Sequence, residues 1–170
     1  MSSTENKRKE LEHILTGGNF VRITGAIKAM REEPPFSGAV NLLISFYNNT
    51  DDDSIKRLIR DFMNDLRNQA SCTEVVEELR KDLKAETMRM AVSSCWQSGL
   101  DYSDFSEVFA RLFLSSDYMT AIECFTVIES HAGKLDRSKK DEIIRIIKEG
   151  IAAGSADKRS LALELISVLE

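Results

Sequence analysis

Two prolines and eight glycines in 170 residues leave little material for the turns of a many-stranded β fold, so helix is favoured before any pattern is read. Histidine is scarcer still for a chain of this size: His13 and His131 are the only imidazoles, which argues against a His-rich or Cys/His metal site. Cys72, Cys95 and Cys124 form an odd set without CxxC or metal-ligand spacing, as reduced thiols used as small buried apolar groups would. Positive charge is also short. Lys and Arg number 23 against 28 Asp and Glu, and the net charge of −5 opposes a general nucleic-acid binder, whose phosphate affinity rests on clustered cations.

Longer features are missing too. No apolar run reaches the roughly 18 residues of a membrane helix, and the opening "MSSTENKRKELEHIL" lacks the apolar core of a secretory signal, so a cytoplasmic protein without a membrane partner is expected. No GxSxG, GxxxxGK[ST], HExxH or EF-hand loop occurs, which leaves hydrolase, nucleotide and calcium chemistry without a motif. Neither a catalytic residue nor a cofactor or metal site is therefore assigned, and the chain reads as a non-enzyme.

What is present is apolar spacing of three and four residues from end to end, punctuated by cap and turn residues. Ser2 and Glu5 stand at capping-box spacing before a first helix that Gly17-Gly18 stops; Asn19 then caps a second, with Phe20, Ile23, Ile27 and Met30 as its stripe, ended by Pro34-Pro35. The third, from Ser37 to about Tyr47, is apolar almost all round (Val40, Leu42, Leu43, Ile44, Phe46), which predicts a central element. Asp51-Asp52-Asp53 places carboxylates at the positive end of the fourth helix, whose stripe is Ile55, Leu58, Ile59, Phe62 and Leu66. Ser71 and Glu74 have capping-box spacing for a fifth. Later stripes are Met88, Ala91, Val92, Cys95 and Trp96, closed by Gly99; Phe105, Val108, Phe109, Leu112 and Phe113; Tyr118, Ala121, Ile122, Phe125 and Ile128, closed by Gly133; Ile143, Ile144, Ile147 and Ile151; and Leu161, Ala162, Leu165, Ile166 and Leu169.

Ser94-Cys95-Trp96 matches the last three positions of a papain-type signature, but Val92 and Ser93 depart from it. Position decides the matter: Cys95 falls in the last turn of its helix, where exposed carbonyls oppose a thiolate, and on the apolar face. His131, in the last turn before Gly133, is expected to cap or to lie at the surface, as is His13.

Ten helices pair into units of roughly 34 residues, the range of helical-hairpin repeats. The second helices of successive pairs read "IKRLIRDFMNDL", "RMAVSSCWQSG", "YMTAIECFTVIE" and "RSLALELISVLE", and aligning Leu58, Ala91, Ala121 and Ala162 gives intervals of 33, 30 and 41 residues. At these positions the chain resembles HEAT or armadillo-type α-solenoids over residues 19 to 170, without the proline that often bends a first helix of HEAT units. The expected fold is all-α: a right-handed α-α superhelix of about five antiparallel helix pairs in a single domain over residues 1–170, with an irregular multi-helix bundle as the alternative.

The resemblance implies a binding surface made by the second helix of each pair. On the polar arcs of those helices lie Arg57 and Arg60, then Met90, then Met119 and Glu123, and these are the expected contacts for a peptide or helix of a partner protein. The methionines suit adaptable contacts. Some HEAT-like proteins are DNA glycosylases, and a nucleic-acid role is the alternative, from which this acidic chain departs. Self-association through Leu165, Ile166 and Leu169 is a third possibility, so a monomer or weak homodimer is expected. Charge is uneven along the chain: two basic residues (Arg89, Arg111) face seven acidic ones between Glu86 and Ser130, and six basic face three acidic between Lys134 and Lys148.

Overall fold

In the computed structural model, which describes residues 2–154 and 156–170, the chain is all-α, with no strand among the described residues. The helices are α1 (Ser3–Gly17), α2 (Phe20–Met30), α3 (Ala39–Asn49), α4 (Asp53–Asn64), α5 (Ser71–Leu79), α6 (Ala85–Gln97), α7 (Ser106–Ser115), α8 (Tyr118–His131), α9 (Arg137–Ala152) and α10 (Arg159–Leu169).

Side-chain caps start five of them. Ser2 accepts from Glu5 N, Asn19 from Arg22 N, Asp52 from Ser54 and Ile55 N, Asp117 from Thr120 N and Asp136 from Lys139 N, at 2.8–3.2 Å. Each cap satisfies a first-turn N–H that has no partner within the helix. Gly99, at φ 72°, ends α6 in the left-handed region, where a Cβ would be strained.

The capping box expected at α5 does not form. Ser71 is already inside the helix and buried, and Glu74 turns away to α3, where its Oε1 accepts from Gly38 N at 2.7 Å. Gly38 is the N-cap of α3, at φ 96°, and has no side chain with which to cap. One turn on, Glu78 Oε1 accepts from Asn41 Nδ2 at 2.8 Å and from Lys81 Nζ at 2.6 Å. Two carboxylates at i and i+4 on α5 thus fasten the start of α3, an arrangement that local spacing cannot reveal.

The chain divides into two compact units, Met1–Leu100 and Asp101–Glu170. In the first, α1, α3 and α5 pack side by side, α2, α4 and α6 do the same, and each hairpin (α1/α2, α3/α4, α5/α6) joins the two layers. The central helix is α3, as its all-round apolar character requires: it touches α1, α4, α5 and α6, and buries Val40, Leu43, Ile44 and Tyr47. In the second unit α7 packs on α9 and α8 on α10, again with both hairpins closed.

Faces differ in three places from the sequence stripes. On α8 the buried side is Thr120, Ala121, Cys124, Val127, Ile128 and His131, while Tyr118 is exposed and Ile122 and Phe125 are only half-buried. On α6 it is Thr87, Met90, Ala91, Val92, Ser94 and Cys95, while Trp96 is 37% exposed. Phe20, at the first position of α2, is exposed as well. Side chains tilt toward the N-terminus of their helix, so Phe20 and Tyr118 project past the first turn instead of onto a neighbour.

Candidate functional site

Of the expected contacts, Arg57, Arg60 and Met90 lie in the first unit and Met119 and Glu123 in the second. Arg57 and Arg60 are exposed one turn apart on α4. Arg60 is also tied to the scaffold: its guanidinium donates to the hydroxyl of buried Tyr47 at 3.2 Å, and that hydroxyl lies 3.5 Å from Glu86 Oε1. Lys56 completes the cluster, with Nζ 3.0 Å from Glu86 Oε2 and 5.5 Å from the centre of the Tyr47 ring. The Lys56 hydrogen bond holds the Glu86 carboxyl below its ordinary range, and Glu86 in turn raises the Lys56 ammonium. Met90 is only 5% exposed, so this expected contact is a core side chain. α6 touches α3, α4 and α5 at once, and the resulting wide buried arc takes in the position that a narrow stripe leaves outside.

On α8, Met119 is 54% exposed and Glu123, one turn on, is half-buried. Sequence reading missed several apolar side chains of the same kind. Among the described residues the exposed large apolar side chains are Phe20 and Val21 on α2, Trp96 on α6, Tyr118 and Met119 on α8, and Leu163 and Val168 on α10. All seven belong to second helices of hairpins. The final-helix residues Leu165, Ile166 and Leu169, offered by the sequence as a third possibility for self-association, are buried within the chain.

The constellation closest to a catalytic one is Ser130, His131 and Asp101. Ser130 Oγ lies 3.0 Å from His131 Nδ1, and Asp101 Oδ1 lies 4.0 Å from Nε2. Its hydrogen bonds point elsewhere. Ser130 Oγ donates to Val127 O at 2.8 Å, His131 Nδ1 sits 2.8 Å from the same carbonyl, and Nε2 accepts from Tyr102 N at 3.2 Å. With its Nε2 lone pair already accepting, the buried imidazole is poorly placed to take a proton from a nucleophile. His131 therefore closes the Tyr102 loop from inside instead of lying at the surface. Asp101 is held well below the usual carboxylate range by the Ser103 hydroxyl and N–H, then by Lys134 at 3.0 Å.

All three cysteines are buried thiols, as expected for apolar filling. Cys95 Sγ lies 3.3 Å from Ala91 O, and burial pushes the Cys124 thiol up to about 12, against a smaller downward pull from Lys158. In native buffer at pH 8 a disulfide reagent is expected to label none of the three faster than the chain unfolds, whereas all three react in denaturant. One thiol that reacts rapidly in the folded state would contradict this placement.

Pro34-Pro35, read from sequence only as a helix stop, stands among three clefts of the first unit. The largest, about 620 Å³, runs from Arg31–Pro35 to Phe62 and Asp65–Asn68, and an ion pair between Arg31 and Asp65 crosses it. Clefts of about 370 and 560 Å³ flank the same loop, toward α1 and toward α5. No group of three or more potential metal-ligating side chains occurs among the described residues. No protein-family model matches the chain, and no curated protein or solved structure proves similar to it.

Proposed function

We propose that this chain is a non-enzymatic protein-interaction module of the helical-hairpin repeat kind, which binds a peptide or helix of a partner protein on the outer arcs of its second helices. One observation carries the reading: among the described residues, every exposed large apolar side chain lies on a second helix. Their confinement to second helices, α2, α6, α8 and α10, favours contact with a partner. Two further observations support it. Like helices pack on like within each unit, and Ala91, Ala121 and Ala162, which share a register position, are all buried. Stacking of this kind is the local rule of α-α superhelices.

The test is affinity capture from the lysate of the source cell, comparing wild type with Arg57→Glu and with Met119→Ser, both at exposed sites. Each variant should melt within a degree or two of wild type, since surface changes are usually worth less than about 0.5 kcal/mol. The expected result is a partner retained by wild type and lost from at least one variant. Identical recoveries from all three would overturn the reading.

A further inference from the structure

Charge in the first unit is sorted by layer. Helices α2, α4 and α6 carry six Lys or Arg against three Asp or Glu, whereas α1, α3 and α5 carry three against six. On the second-helix layer Glu86 is engaged by Lys56 at 3.0 Å, which leaves Asp53 and Asp61 as the other carboxylates. Arg22, Lys28, Arg57, Arg60 and Arg89 are exposed and make no ion pair among the described residues. Helix α4 stands in the middle of this layer, with α2 and α6 at its sides and α3 beneath, so Arg57 and Arg60 project from the centre of the face. Arg89, one turn after Glu86, joins them from α6. Arg60 is also held in place, since its guanidinium donates to the hydroxyl of buried Tyr47 at 3.2 Å. That bond uses one nitrogen of the fork and leaves N–H donors for an incoming group.

We propose that the outer face of α2, α4 and α6 receives an Asp- or Glu-rich segment of a partner protein, its carboxylates on Arg57, Arg60 and Arg89. This rests on the interaction reading above and names the partner's chemistry. Charge complementarity selects the occupant: a basic segment would meet five cations outside ion pairs, whereas an acidic one meets only two such carboxylates, Asp53 and Asp61. Four of the five cations are arginines, whose planar forks hold a carboxylate through two parallel hydrogen bonds. Because Tyr47 already positions Arg60, less side-chain freedom is lost when a carboxylate docks there. A phosphate polymer also suits arginine, but it extends beyond a patch of this size onto a chain of net charge −5 that repels it. A short acidic segment meets the patch alone.

The test measures fluorescence anisotropy of labelled probes added to the full chain. One probe is a Glu/Ala peptide of about four helical turns, the second its Gln/Ala counterpart, the third its Lys/Ala counterpart, and the fourth an oligothymidylate of similar length. The Glu/Ala probe is expected to bind about tenfold or more tighter than each of the other three, a difference of roughly 1.4 kcal/mol. Its affinity should fall about tenfold in Arg57→Ala/Arg60→Ala and weaken in high salt, and should hold in Glu10→Ala/Glu77→Ala on the opposite layer. Equal binding of the Gln/Ala probe, tighter binding of the oligothymidylate, indifference to Arg57→Ala/Arg60→Ala, or no binding of any probe would overturn the proposal. In the lysate capture, a partner lost from Met119→Ser and retained by Arg57→Glu would overturn this face and leave the interaction reading intact, whereas identical recoveries remove that reading separately.

Discussion

Replacing Lys158 with methionine is expected to lower stability by about 2–3 kcal/mol and the melting temperature by roughly 5–10 °C, the largest effect of any single change outside the apolar core. Lys158 is 4% exposed, and its ammonium donates to Leu114 O at 2.9 Å and to Ser116 O. Those carbonyls stand at the C-terminal end of α7, where the last C=O groups lack helical partners and the dipole is negative. Methionine fills nearly the same volume, so the change isolates the charge and its bonds. It orphans two carbonyls, each worth about 1–3 kcal/mol if it stays dry, and relieves the burial of an ammonium, which offsets part of the loss. Both bonds are part-buried, so water offsets some of that loss. Urea unfolding of the two proteins measures the difference. Coincident midpoints would show that water replaces the ammonium without cost.

His131→Phe is the second large effect, with an expected loss of about 1–3 kcal/mol. Phenylalanine keeps the ring and its edge-on approach to Tyr102, whose centroid lies 6.5 Å away, so the packing term changes little. What disappears is the acceptor for Tyr102 N and the Nδ1 contact with Val127 O. A buried N–H without an acceptor is among the costlier defects in a protein interior. The sharper readout is local: amide exchange at Tyr102 should accelerate by more than the change in global stability explains. Unaltered exchange in a protein of unaltered stability would mean that the imidazole is not the acceptor, and that the assigned tautomer, with the proton on Nδ1, is wrong.

His131 also shows where the sequence stopped being informative. Its position in the last turn before Gly133 correctly placed it at a helix end, yet the partner that buries it, Tyr102, lies 29 residues away. Glu74 is a similar case: its spacing from Ser71 signals a local cap, and the group it binds is on α3, 36 residues back. Polar side chains of this kind have several chemically equivalent partners, and only the packing of helices chooses among them. The apolar stripes of α6 and α8 failed in a related way. Both buried faces are rotated by about one residue position, roughly 100°, because Thr87, Ser94, Thr120 and His131 are inside while counted as polar. Ser94 is buried without penalty since its Oγ donates to Ala91 O at 2.7 Å within its own helix. A pattern read in apolar letters cannot register a hydroxyl that satisfies itself. The same rotation carried Met90 inward and Trp96 outward, and so moved the candidate surface.

The sequence by itself determined that the chain is all-α, where α1 and α2 begin and where α6 stops, that α3 is central, and that the cysteines are apolar filling. These follow from caps, from left-handed glycine, and from spacing within one or two turns, which are forces between neighbours in the chain. Tertiary structure alone decided which side of α6 and α8 is buried, that Glu74 serves α3, that Lys158 closes α7, and which apolar side chains remain in water on α8 and α10. Each of these depends on what lies against a helix, and groups tens of residues apart meet only once the helices have packed.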